Sequence, residues 1–253
     1  MLRSFNLQPR SIEDIDDMPV HPNWIPLVTT HIAADKDDAA CCIRTRLDEV
    51  IVFADGSGLD GHVGAAAVIV SPAGGRHLQY QLGSDAAHTV FEGELTGILL
   101  AVHLLHEYLR TKTALIAVDN QAAIAALINW PKQPGQHLVN EIHAVLKALR
   151  RAQLRMRVPV EWVPGHANIH GNERADVLAR EAAGGSQAAS LDLPRMLRKK
   201  LPTSIAALKA NRKRSLYPKW TERWALSPRH SKISRIDPCM PSQKLFRAIT
   251  NRP

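Results

Sequence analysis

Residues 162–180 read WVPGHANIHGNERADVLAR. A loop histidine beside glycine, His166, is followed ten residues later by Asp176 in a segment with helical character. Three further acids lie upstream, Asp55, Glu94 and Asp119, and the elements around them are expected to send all four carboxylates toward one spot. Carboxylates crowded within a few ångström cannot all stay ionised unless a cation lies between them. The pattern therefore implies a metal-dependent hydrolase.

Upstream of this stretch the periodicity supplies a scaffold. VIVFA at 50–54 is a β-branched apolar run ended by Asp55-Gly56-Ser57-Gly58, which predicts a buried strand entering a turn. GAAAVIVS at 64–71, ended by Pro72-Ala73-Gly74-Gly75, and the alternating RHLQYQLG at 76–83 complete a three-stranded meander. Leu95, Ile98, Leu99, Val102, Leu105 and Leu109 recur at helical spacing, with Glu94 beside the stripe near the helix start. ALIAV at 114–118 predicts a fourth strand ended by Asp119-Asn120, and QAAIAALIN a short helix that Asn120 could cap and that Pro131 and Pro134 close. A longer helix carries Leu138, Ile142, Val145, Leu146 and Leu149 on one face. RVPVEWVP at 157–164 predicts the fifth strand, and Pro159, lacking an N–H, predicts that it lies at an edge. The helix with Asp176 follows, stopped by Gly184-Gly185. If strands one and four are parallel neighbours, as a right-handed crossover favours, Asp55 and Asp119 emerge side by side.

The flanks differ from this centre. Residues 1–47 read as an irregular lead interrupted by Pro19, Pro22 and Pro26, and residues 185–253 as a basic, partly helical tail with a helix over 204–214. The 253 residues carry a net charge of +8, but residues 1–193 hold 16 Lys and Arg against 22 Asp and Glu, whereas residues 194–253 hold 16 against 2. A segment of net +14 attracts nucleic acid through phosphate neutralisation and counterion release. Three cysteines, two of them adjacent at Cys41 and Cys42, give neither metal-ligand spacing nor a disulfide framework, and are expected to be ordinary buried or interface thiols. No apolar run approaches signal-peptide or membrane-spanning length, so a soluble, intracellular protein without a membrane partner is expected. Hard oxygen ligands without a Cys/His cluster point to Mg²⁺, with Mn²⁺ as the variant, and two such ions can serve phosphodiester hydrolysis. No organic cofactor is called for.

The motifs ADGS at 54–57, EL at 94–95, VDNQ at 118–121 and WVPGHANIHGNERAD at 162–176 resemble those of type 1 ribonuclease H domains, most closely those of LINE-type retrotransposon polyproteins. The resemblance covers about residues 48–184. Ser227-Pro228-Arg229, Asp237-Pro238 and Pro241-Ser242 resemble the segment that follows the domain there, so the chain resembles a truncated fragment of such an element. What the resemblance implies is an α/β ribonuclease H-like fold: a five-stranded mixed sheet, order 3-2-1-4-5, flanked by helices. It implies hydrolysis of the RNA strand of RNA–DNA hybrids to a 3′-hydroxyl and a 5′-phosphate. Asp55, Glu94, Asp119 and Asp176 would hold the metals, and His166 would assist proton movement or product departure. Gly56, Ser57, Asn120 and Gln121 match positions that touch the RNA minor groove, where the 2′-hydroxyl marks RNA. A reverse transcriptase of the same element would be the protein partner. Two departures stand out: His88-Thr89-Val90-Phe91-Glu92 replaces an Asn-containing stretch before the helical glutamate, and the basic insertion between Ala126 and Leu138 is missing. Grip on the hybrid then falls to the tail.

Each residue also has a plainer reading. Asp55 and Asp119 alone would be a turn acid and a helix-start acid, and Glu92 competes with Glu94 for the ligand role. His170 reads as a bystander, and Trp220 and Trp224, four apart, as a helix-packing pair before a base-stacking platform. The rival functions are a catalytically silent retroelement remnant that binds nucleic acid through its basic tail, and a transposase or integrase core on the same fold, a class without the GHANIHGNERAD stretch.

Overall fold

The alternation of small and branched apolar residues along residues 50–70 builds the centre of the molecule, seen in a computed structural model that describes residues 8–15, 27–48, 50–70, 75–108, 113–129, 133–152 and 158–238. Strand β2 (Val50–Leu59) turns at Asp60-Gly61 into β3 (His62–Val70), which pairs antiparallel with it and with β4 (His77–Ser84). Asp60 and Gly61 both have positive φ, 48° and 76°, the conformation that lets a two-residue hairpin follow the strand twist. Strand β5 (Ala114–Val118), buried throughout, runs parallel to β2 with Ala54 opposite Val118, and β6 (Pro159–Trp162) runs parallel to β5. The expected order 3-2-1-4-5 is therefore present as β4-β3-β2-β5-β6.

The sheet nevertheless has six strands, not five. The lead supplies β1 (Thr29–His31), which pairs parallel with β6, so the order is β1-β6-β5-β2-β3-β4. Strand β6 is consequently not an edge. Pro159 is tolerated because it is the first residue of the strand, and the ladder to β5 begins one residue later, at Val160 opposite Ile116. The lead also forms helix α1 (Lys36–Arg44), capped by the Asp35 side chain accepting from the Asp38 N–H at 2.8 Å. Its regular elements correct the expectation of an irregular segment. Pro19, Pro22, Pro26, Leu109, Pro131 and the turn at 72–74 lie outside the described residues.

Because successive strand side chains face opposite sides, the sheet builds two cores. Val52, Ala54, Ala65, Ala67, Ile116 and Val118 pack with helices α2 (Val90–Leu105), α3 (Gln121–Asn129) and α4 (Gln136–Ala152). Phe53, Ala66, Val68, Leu115 and Ala117 pack with α5 (His170–Ala183) and with Ala40 and Ile43 of α1. The element order from Val50 to Ala183 is the one the periodicity predicts.

The tail does not begin at the Gly184-Gly185 break. Leu193, Leu197 and Leu201 are buried in the first core, and the first compact unit runs to Ala207. Residue 203 is bridged to the lead: Ile12 pairs with Thr203, and Glu13 N–H donates to the Thr203 carbonyl at 3.0 Å. The Glu13 carboxylate, 4% exposed, accepts from the N–H groups of Gly135 and Ile205 at 2.7 Å each. These two donors open α4 and α6 (Ile205–Ala225), so one buried carboxylate caps two helices. Ser204 Oγ donates to it at 3.3 Å, and His137 Nδ1 lies 3.4 Å away. The second unit, residues 208–253, contains the rest of α6 and α7 (His230–Ile233). Helix α6 extends beyond the expected 204–214 and includes Pro218. Within this unit Trp224 meets His230 edge-on at 5.5 Å, and Trp220 is 49% exposed. Among the described residues no helix is long and apolar enough to cross a membrane.

Candidate active site

The parallel pairing of β2 and β5 decides the site. Ala54 and Val118 are register partners, so the residues that follow them, Asp55 and Asp119, leave adjacent strands at the same level. Glu94 reaches them from α2 because the helix backbone lies almost on the strand. A Cβ on Gly56 would sit 2.2 Å from the Glu94 backbone nitrogen, so only glycine admits this approach. Gly97 repeats the condition one turn later, where a Cβ would lie 2.8 Å from the Asp55 carbonyl oxygen. One ligand oxygen each from Asp55, Glu94 and Asp119 then falls within 4.8 Å of the others.

The electrostatics follow from this crowding. Burial pushes the Asp55 carboxyl up to about 7, with the charges of Asp119 and Asp176 adding to the shift. Burial, then Asp55 and Asp119, push Glu94 up to about 9, against hydrogen bonds from the Asn120 side chain and the Gly56 backbone. Asp119 is raised by burial too, while a hydrogen bond from Asn172 opposes the shift. Glu94 Oε2 is buried with no hydrogen-bond partner. An orphaned carboxylate oxygen beside two other acids is the donor set of a hard divalent cation, and these residues fit one.

The remaining sequence-predicted residues are distributed around this triad. Asp176, on α5, lies outside the tight triad; its carboxylate pairs with Arg180 Nη2 at 2.7 Å, yet its charge raises both Asp55 and Asp119. His166 is exposed on the loop between β6 and α5, with φ of 56°. Gly56 is buried, Ser57 and Asn120 are half-buried, and Gln121 is exposed. Asn120 Oδ1 caps α3 by accepting from the Ala123 N–H at 3.0 Å. Glu92, the competitor of Glu94, is engaged in a capping box with Thr89 at the start of α2. Its oxygen accepts from the Thr89 N–H at 2.8 Å. His170 is exposed at the first turn of α5. Cys41 and Cys42 are both exposed, so of the two readings expected for them the buried one does not hold.

Four residues of the site were not singled out from the sequence. Asn172 is 4% exposed and hydrogen-bonds Asp119. It stands one helical turn before Asp176, a spacing that puts both on one face of α5. Trp162 Nε1 donates to the Asp119 carbonyl at 3.0 Å and fixes the strand end. Arg180 pairs with Asp176 and counters the rise at Asp55. Arg44, from the lead, donates through Nη2 to the Ala167 carbonyl at 3.0 Å, and a contact across 123 residues leaves no local signal.

A fold with parallel β2 and β5, an acidic triad where they end and a further acid on α5 is that of a ribonuclease H hydrolase. Residues 48–184 match the family model for RNase H, and the chain belongs to that family. It is 31% identical over 147 residues to a ribonuclease H of Phenylobacterium zucineum, covering 56% of this chain and 94% of the relative. It is 33% identical over 142 residues to one from Pseudomonas fluorescens, covering 53% and 89%. Among solved structures, RNase H1 from the halophilic archaeon Halobacterium salinarum aligns at 20% identity and a TM-score of 0.40, over 54% of this chain and 98% of that one.

Proposed function

We propose that the chain cleaves the RNA strand of RNA–DNA hybrids, leaving a 3′-hydroxyl and a 5′-phosphate, with residues 48–184 as the catalytic domain. The observation that carries this reading is the acidic triad of Asp55, Glu94 and Asp119, with ligand oxygens within 4.8 Å and one Glu94 oxygen buried without a partner. With Asp176 these acids would hold two Mg²⁺ ions, or Mn²⁺, which when bound activate a water on one side of a phosphodiester and stabilise the departing oxygen on the other. The side chains have their own tasks. Trp162 fixes the Asp119 backbone, and hydrogen bonds from Asn172 to Asp119 and from Asn120 to Glu94 orient these two carboxylates. Gly56, Ser57, Asn120 and Gln121 border the triad in sequence and are the residues that would touch the RNA minor groove. His166, exposed and close enough to Asp119 to temper its raised carboxyl, would move a proton or assist product departure.

The hybrid is expected to be gripped partly by the cationic residues beyond 194, with 16 Lys and Arg against 2 acids. The motifs shared with LINE-type polyproteins support an origin in such an element, where a reverse transcriptase would supply the hybrid. Exposed, unpaired Cys41 and Cys42 agree with an intracellular site of action. Incubation with labelled RNA–DNA hybrid, RNA duplex and DNA duplex in Mg²⁺ tests the proposal. Cleavage confined to RNA in the hybrid supports it, binding without cleavage would favour the silent remnant, and nicking of DNA would favour a strand-transfer core.

A further inference from the structure

The loop that presents His166 carries backbone strain. His166 and Asn168 both have positive φ, 56° and 55°, on either side of Ala167. Non-glycine residues in this region cost roughly 1 kcal/mol or more each, and persist only where the surroundings over-determine them. The loop also abuts the acids, since a Cβ on Gly165 would lie 3.2 Å from Asp119 Oδ2. Part of what holds it, beside Phe53, Leu115 and Ala117 of the sheet, comes from outside the family-matched residues 48–184.

Helix α1 supplies both a floor and a latch. Ala40 and Ile43 share a core cluster with Val163 and Ile169, the two residues that bracket the loop, and Ala167 packs against the same cluster. From the last turn of α1, Arg44 Nη2 donates to the Ala167 carbonyl at 3.0 Å, between the two strained residues. The helix is itself tied to the strand that feeds the loop: β1 pairs with β6, and Arg46, just past α1, forms an ion pair with Glu161 of β6. Strand, helix and loop thus form a closed circuit of contacts.

We propose that α1 acts as a clamp on the His166 loop, and that Arg44 is a positioning residue for His166 in hybrid cleavage. Arg44 acts through the backbone of Ala167 and does not touch substrate. The role of His166 rests on the reading given under Proposed function; the clamp itself does not.

The test uses the full chain with Arg44→Ala, Arg44→Lys and His166→Ala, singly and with Arg44→Ala and His166→Ala combined. Arg44→Ala is expected to lower kcat for hybrid about 3- to 30-fold with KM little changed, in line with the cost of a misplaced group. Arg44→Lys, which keeps a cationic donor, restores most of the loss, and Arg44→Ala adds nothing in the His166→Ala background. An equal loss in that background, or a rise in KM with kcat intact, overturns the proposal, the latter marking Arg44 as a phosphate contact. NMR signals of the Ala167 amide and His166 ring supply an arm that needs no activity. Shifted or broadened signals in Arg44→Ala support the clamp, and unchanged signals refute it. A wild-type chain that leaves hybrid intact refutes the hydrolase reading instead, and the NMR arm still decides the clamp.

Discussion

At the scale of single residues, Glu94 sits where its surroundings most oppose its charge. Its carboxyl is raised from 4.5 to about 9 by burial and by Asp55 and Asp119, so the folded chain binds a proton there more tightly than the unfolded chain. The sign follows: without metal, this group costs no stability below pH 4.5 and costs progressively more as pH rises toward 9. Thermal melts in chelator are expected to show a melting temperature that falls over that window. Glu94→Gln should flatten the fall, and added Mg²⁺ should restore the wild type but not the variant. A wild-type melting temperature that rises with pH in chelator would contradict the crowded triad. Asp119→Asn should abolish hybrid cleavage while its melting temperature in chelator stays level or rises; retained turnover would remove Asp119 from the ligand set. The triad was legible in sequence because Asp55 and Asp119 each end an apolar run and Glu94 opens one. Arg44 was not, because its partner Ala167 is 123 residues away and only tertiary structure brings them together.

Among elements, those from Val50 to Ala183 follow from periodicity, since alternating and helical stripes are long enough there to be told apart. Strand β1 escapes such a reading because three residues cannot display a period, and its partner β6 comes more than a hundred residues later. Glu92 shows the same limit in reverse: sequence offered two glutamates at the start of α2, and the capping box with Thr89 separates their roles. Helices α4 and α6 share Glu13 as a cap, and that carboxylate stays below its usual range because the hydrogen bonds from His137, Gly135 and Ile205 outweigh the opposing effect of burial. Glu13→Ala leaves two helix-opening N–H groups without an acceptor and should cost about 2–4 kcal/mol in urea unfolding at neutral pH. With a depressed carboxyl, the wild type holds this contribution above pH 4.5 and loses it in acid, so the two proteins should converge there. A difference below about 1 kcal/mol at neutral pH would mean that the cap is replaced by water.

For the molecule as a whole, the separation of charge is the dominant property, with net −6 over residues 1–193 and net +14 over residues 194–253. The sequence placed the basic boundary at residue 194, but Leu197 and Leu201 are core residues, so the segment that can be removed without opening the core begins at 208. Deleting residues 208–253 is expected to weaken hybrid binding and to reduce the slope of log affinity against log salt, read by titration at several ionic strengths. An unchanged slope would mean that the cationic segment contributes nothing to binding. Glu13 carries a last implication, for biosynthesis. Its acceptor oxygens are made almost two hundred residues before the Ile205 amide that one of them takes up. Glu13 has no Ile205 amide to accept from until synthesis has passed residue 205, so the closing of this latch is a late event, and a chaperone or protease meeting the emerging polypeptide would find the segment around Glu13 without this contact until then.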